Sequence, residues 1–265
     1  MKKIIIFIVI IALSINKLYS DNEIKIEGVY QGENLFIMNP FAATGVGFCI
    51  YEVTVNTQIT TDEINSSAFE IDFTPFHLVE GDAVVVLIKH KEGCQPKVLN
   101  PEVLKPKSTF TVESIKIDKS GKLIWVTQGE KGALPFVIEQ FKWKKWIKTG
   151  TVDGKGTPGN NTYSLTVPLH SGINKFRVKQ TDYSKKPRYS PEATYRNLAA
   201  PVTFTPGNGK KAGNQITFSS ETEYEIYDYF GKLRLKGKSK TINITSLEGG
   251  SYFINYDNQS ETFEK

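Results

Sequence analysis

Histidine is scarce in this chain: three residues in 265, His77, His90 and His170, with no metal-ligand spacing among them. No Gly-x-Ser-x-Gly elbow and no His-Glu-x-x-His pair occurs, so the signatures of an esterase and a zinc protease are missing. After the first 20 residues no apolar run approaches the ~20 residues of a membrane span. No helical pattern exceeds two turns. Charge of either sign is in short surplus too. The formal +5 becomes 5 − 3 = +2 once Lys2, Lys3 and Lys17 are set aside with the leader, too weak a field to argue for nucleic acid. These absences favour a non-enzymatic protein with no catalytic residues, no cofactor and no metal.

Turning to what is there, Lys2 and Lys3, the apolar run Ile4 to Ile15 and the small Ser20 before Asp21 follow the order of a secretory signal peptide. The run is too short for a span, and no cysteine near the cleavage point could carry a lipid anchor. The exported part is therefore expected to stay out of the bilayer, with no direct membrane insertion. Its two cysteines, Cys49 and Cys94, fit an oxidising compartment. Each borders a strand-like run, which favours a Cys49–Cys94 disulfide over two separate buried thiols. The closed loop would contribute roughly 3–4 kcal/mol.

Short β runs broken by turn residues fill the rest. Phe69, Ile71 and Phe73 alternate with Glu70 and Asp72, so one face is buried and one wet. Ala83 to Ile88 is apolar throughout and β-branched, as a central sandwich strand would be. The spacing suits an immunoglobulin-like sandwich over 21–108, where an inter-sheet disulfide would be natural. Pro101 and Pro106 with Lys105 and Lys107 read as a linker. Over 109–197, Trp125, a long middle hairpin, Tyr163 to Val167 and Asn174 to Val178 have the order of a fibronectin type III domain. Residues 198–265 open on a loose stretch with Gly207, Gly209 and Gly213 and continue in six- to ten-residue steps, a small sandwich. The fold class is all-β: tandem immunoglobulin-like and fibronectin type III-like β-sandwich domains with a small C-terminal β-sandwich, after a 1–20 signal peptide.

Three segments invite a functional reading. Gly154-Lys155-Gly156-Thr157-Pro158-Gly159 matches the dinucleotide-binding glycine pattern, but it leads into a strand and reads as a hairpin loop. Thr61 to Ser67 collects oxygen ligands without the order of a dedicated calcium loop, and reads as an Asx- or Ser-rich turn. Phe141 to Lys148 interleaves cations with aromatics. Near-neutral charge favours a hairpin with Trp143 or Trp146 buried and its lysines solvated over an anionic-polymer site. Trp143, Lys144, Lys145 and Trp146 are also a candidate protein-contact patch.

Two resemblances then enter. Tyr224-Glu225-Ile226-Tyr227-Asp228, Phe230-Gly231-Lys232-Leu233, Ile242 to Leu247 and Gly250 to Ile254 resemble the C-terminal sorting domain of the type IX secretion system of Bacteroidota. The tail departs from that pattern at Val202 to Pro206 and at Thr262 to Lys265, which lacks the usual basic close. The stretch Val29 to Phe110 looks like the N-terminal part of the plug family of the type IX translocon, on Asn39-Pro40-Phe41, Gly45 to Cys49, Tyr51 to Asn56, Thr60 to Ile71 and Lys97 to Pro101. The resemblance implies a periplasmic protein associated with the outer membrane, a monomer within a hetero-complex. It would bind the outer-membrane translocon barrel and close its periplasmic opening when no substrate is engaged. The alternative is a cell-surface or secreted cargo, an adhesin or binding module exported by its tail.

Overall fold

The structure is a computed structural model that describes residues 22–265, so the signal-peptide reading lies outside the described residues. The chain divides into two compact units that do not follow chain order. One holds 34–76, 85–100 and the described residues up to 27; the other holds 28–33, 77–84 and 101–265. Apart from two single-turn 3-10 helices, Thr74–Phe76 and Pro101–Leu104, the regular structure among the described residues is all strand. No helix there is long and apolar enough to cross a membrane.

Residues 22–100 form β1 (Glu23–Val29), β2 (Leu35–Met38), β3 (Ile50–Val55), β4 (Gln58–Ile59), β5 (Ala68–Ile71), β6 (Ala83–His90) and β7 (Lys97–Val98). They make two sheets, ordered β1-β6-β3-β4 and β5-β2-β7. The apolar β6 is a central strand, as its sequence suggests. Register places Leu35 opposite Ile71 and Ile37 opposite Phe69, all buried, which accounts for the alternation in β5. Across the other sheet Val53 faces Ile88 and Val55 faces Val86.

Cys49 and Cys94 are bonded, with Cα atoms 6.0 Å apart. Their placement corrects one expectation: the bond does not join the two sheets. Cys49 immediately precedes β3 and Cys94 follows β6, and those strands are paired neighbours in one sheet. The bridge therefore clamps two loops at one end of that sheet. The oxygen-rich turn uses its acids on backbone: Glu63 Oε1 accepts Asn65 N–H at 2.8 Å and Asp62 Oδ1 accepts Asp72 N–H at 3.2 Å. The expected proline linker is also corrected. Val103 and Leu104 of the 3-10 turn are buried, and a Cβ on Gly28 would lie 2.3 Å from the Leu104 carbonyl oxygen. This segment packs rather than tethers.

The second unit continues with β8 (Thr111–Ile117), β9 (Lys122–Gln128), β10 (Phe136–Lys142), β11 (Lys145–Val152), β12 (Asn161–Thr166), β13 (Gly172–Thr181), β14 (Pro187–Tyr189) and β15 (Ala193–Asn197). One sheet is β12-β9-β8; the other runs β11-β10-β13-β14, with β15 also on β13. This is the fibronectin type III arrangement. Its centre is Trp125, fully buried, stacked on Tyr163 at 5.4 Å and edge-on to Phe136 at 6.0 Å. Burying each such ring contributes ~1.5–3 kcal/mol, with more from the ring geometry.

The remainder is β16 (Phe204–Thr205), β17 (Lys210–Lys211), β18 (Gln215–Asp228), β19 (Leu233–Asn243), β20 (Ser251–Tyr256) and β21 (Gln259–Glu264). The short steps expected here merge into two long strands. The 14-residue β18 pairs β16 near its start and β20 near its end, with β19 along its other edge. Register shifts between Thr217 and Thr222 let the sheet fold over its own core of Ile216, Phe218, Ile226, Ile254, Tyr256 and Phe263. Lys210 and Lys211, expected in a loose entry, pair parallel with Phe263 and Glu264.

Candidate functional site

The β10–β11 hairpin tip carries the aromatic–cation run. Register Lys142↔Lys145 leaves Trp143 and Lys144 as a two-residue turn, with φ of +54° and +60°. Both values demand the left-handed region that glycine and asparagine occupy most easily, so this turn is strained and needs support. The C-terminal sandwich supplies it. Trp143 Nε1–H donates to the Tyr256 carbonyl at 3.3 Å, and Lys142 Nζ lies 2.9 Å from Glu223 Oε2 and 4.4 Å from the Trp143 ring centre. Lys145 reaches Glu225 at 3.7 Å and sits over the Tyr227 ring.

The candidate contact patch is thus occupied in part by the chain's own third sandwich. Trp143 and Trp146 are half-buried rather than buried, Lys144 and Lys145 are exposed, and the buried member of the run is Lys142. The expectation of solvated lysines holds for Lys144, Lys145 and Lys148 and is corrected at Lys142, and neither tryptophan is a core residue. Register is the reason: Lys142 is the last residue of β10 and points to the seam. Trp146 instead lies under Arg177, whose guanidinium is 4.1 Å from its ring centre and which also pairs with Glu139 at 2.8 Å.

A second set of contacts ties the loop before β13 to the same sandwich. Asn174, fully buried, donates to the His170 carbonyl at 2.9 Å and accepts from His170 N–H at 3.0 Å and from Gln140 Nε2 at 3.0 Å. This fixes the 168–172 loop against the fibronectin core. Asp257, also buried, accepts Ser171 N–H at 2.8 Å, the Ser171 hydroxyl, and Val202 N–H at 3.2 Å. A buried carboxylate is tolerable only when its oxygens are so satisfied.

Between these two anchor points a cleft of about 330 Å³ opens, lined among others by Gln140, Lys142, His170, Asn197, Val202 and Asp257. His170 is 5% exposed. Its Nδ1–H donates to the Ser171 carbonyl at 2.7 Å, while Nε2 is enclosed and makes no hydrogen bond of good geometry, with the Phe141 backbone also acting on the ring. Burial, with the Lys142 charge adding to it, holds the imidazole pKa below its ordinary value. In sequence His170 is a lone histidine without spacing. Nothing local marks it.

The glycine-rich loop is corrected in one respect. It links β11 to β12, which lie in different sheets, so it is a crossover and not a hairpin. Glu130, buried beneath it, accepts Gly156 N–H at 2.9 Å and the Tyr163 hydroxyl at 2.9 Å, while Lys155 N–H donates to that hydroxyl at 2.8 Å. The N–H groups of Lys155 and Gly156 are thus spent on the protein's own side chains, and that of Gly154 on the Leu134 carbonyl. Burial raises Tyr163 to about 12. His90 lies with both cysteine sulfurs inside 4.8 Å, but bonded sulfurs are not thiolate ligands.

No protein-family model matches the chain, and no curated protein does. Solved structures do. The tetra-tandem repeat of the extending region of a large adhesion protein aligns over 92% of this chain and 69% of that one, at 14% identity and a TM-score of 0.30. Chicken CNTN1 FN1–FN3 domains align over 92% and 94%, at 11% identity and 0.24. The fibronectin(III)-like modules of Clostridium thermocellum CbhA align over 59% and 92%, at 12% identity and 0.21. At these TM-scores the likenesses carry no argument about this chain.

Proposed function

We propose that this protein is a non-enzymatic component of the type IX secretion translocon. It binds the outer-membrane barrel from the periplasm and closes its opening when no substrate is engaged. One observation supports a resident part over a cargo: the sorting-like tail is built into its neighbour. Lys142 lies buried against Glu223, Trp143 donates to Tyr256, and Asp257 takes donors from Ser171. A signal meant to be cut away leaves its cargo intact. Here removal would strand a buried ammonium, free a strained turn and unpair the Ser171 loop.

The second reading, a surface adhesin or binding module exported by that tail, draws on the preserved Ile226-Tyr227-Asp228 turn. Asp228 Oδ1 accepts Phe230 N–H at 3.0 Å and Lys232 N–H at 2.9 Å, and Arg234 pairs with its other oxygen at 2.8 Å. That rigid turn presents Tyr229 and Phe230 to solvent. The test is affinity purification of the tagged chain from detergent-solubilised outer membranes, with intact mass. Recovery with a single very large barrel protein, at a mass spanning Asp21 to Lys265, is the expected result. Recovery only from the cell surface or medium, shortened near residue 200, would make it cargo.

A further inference from the structure

We propose that the thiol form of this chain, before its disulfide closes, binds one zinc-class metal ion through Cys49, Cys94 and a ring nitrogen of His90. This goes beyond the translocon reading and does not depend on it.

The first argument is convergence. One ring nitrogen of His90 and both cysteine sulfurs lie within 4.8 Å of one another, and the described residues hold no other such cluster of His, Cys, Asp or Glu. All three belong to the first unit. The backbone places them there. His90 ends β6 opposite Ile50, the first residue of β3, and Lys91 N–H donates to the Cys49 carbonyl at 2.9 Å. Gly93, at φ of +76°, turns the chain so that Cys94 returns beside Lys91, its Sγ 3.2 Å from the Lys91 carbonyl. None of these contacts needs the sulfurs to be bonded. Zinc–sulfur distances of about 2.3 Å in a tetrahedral site set two thiolates about 3.8 Å apart. Cysteines whose Cα atoms are 6.0 Å apart reach that spacing by side-chain rotation. His90 Nδ1 lies 3.1 Å from the Lys91 carbonyl, the kind of backbone acceptor that orients a ligating imidazole.

The donor set names the ion. Two thiolates and an imidazole suit zinc and its softer neighbours, whereas calcium and magnesium take oxygen. Charge agrees. Cys49 is fully buried and Cys94 is 9% exposed, a place where two free thiolates would be costly. Two thiolates and a divalent ion sum to zero. Each thiol gives up its proton as its sulfur binds, so one ion enters, two protons leave, and no oxidant or reductant takes part. Burial is no obstacle, because at such sites the ion binds as the chain folds. Three protein ligands leave the fourth position to water, the pattern of an exchangeable site. In the bonded form the sulfurs are spent on each other, so disulfide and metal are alternative occupants of one place.

The test compares two preparations of the purified chain from Asp21 to Lys265: the disulfide form, and a form reduced in urea and refolded without oxygen. Cobalt(II) is the probe, read by its thiolate charge-transfer absorption and displaced by zinc. Expected is one equivalent in the thiol form, and none in the disulfide form or in Cys49→Ala with Cys94→Ala. His90→Ala should bind at least ~10-fold more weakly, whereas His77→Ala should match the parent. A thiol form that folds without taking up cobalt, or His90→Ala binding like the parent, overturns the proposal. So does equal uptake by the disulfide form or the double variant. A thiol chain that refolds only with zinc present supports the site, and one that stays unfolded even then overturns it.

Discussion

Lys142 and Glu223 form a lopsided ion pair: the nitrogen and oxygen are 2.9 Å apart, but the lysine side chain is 7% exposed and the glutamate 45%. They are 81 residues apart in sequence and bring the hairpin tip onto the C-terminal sandwich.

That asymmetry sets an order of mutational costs. Glu223→Gln leaves a buried ammonium without its counter-charge and should cost ~2–3 kcal/mol. Lys142→Met removes the buried charge and leaves a carboxylate that water can reach, so it should cost about 1 kcal/mol or less. Urea unfolding followed by tryptophan fluorescence measures both. All three tryptophans, Trp125, Trp143 and Trp146, belong to the second unit. The reverse order would show that water reaches Lys142.

His170 makes stability fall on the acid side. Its folded pKa is depressed below the ordinary 6.5, chiefly by burial. The unfolded chain therefore takes up the proton first. This contribution is complete above pH 6.5 and is lost as pH falls from there through the folded value. The urea midpoint of the second unit should decline across that window, and His170→Gln should flatten the slope. An equal slope in the variant would assign the acid sensitivity to other groups.

The glycine-rich loop separates structural from dispensable glycines. Gly156 has φ of +70°, and a Cβ there would lie 2.3 Å from Ala133 N. Gly159 has nothing within 4 Å. Gly156→Ala should therefore cost more than ~2 kcal/mol, and Gly159→Ala should stay within about 0.5 kcal/mol. Thermal melts of both variants compare them. Similar melts would mean that the loop moves away from Ala133 at little cost.

The disulfide joins cysteines separated by 45 positions in sequence, and both of them lie in the first unit. Cys49→Ala with Cys94→Ala should lower that unit's stability by ~3–4 kcal/mol. Because the tryptophans report the second unit alone, hydrogen exchange of β3 and β6 amides is the measurement. Exchange there should quicken while the fluorescence transition stays in place. Unchanged protection would mean the strand ladder holds these ends without the bond.

Most of the β architecture was legible in residue order. Phe69 and Ile71 gave away β5 because side chains alternate every second residue, and that period is local. The two cysteines had only each other to bond. Less was legible at the candidate site. Gln140, Lys142, His170, Val202 and Asp257 are scattered over the last half of the chain and share no pattern. The Trp143–Lys144 turn lacks the Asn-Gly letters that announce such a turn, because a contact 113 residues away supports its strain.

By itself, then, the sequence determined which segments are strands, that the protein is all-β, and that two cysteines were available to one another. Those properties follow from local alternation, turn chemistry and counting. Only the tertiary structure decided that the disulfide clamps neighbouring strands of one sheet, that a hairpin lysine is buried, and that a lone histidine is buried beside a cleft. Each depends on which distant strand edge a residue meets, and burial is a property of that meeting rather than of the residue.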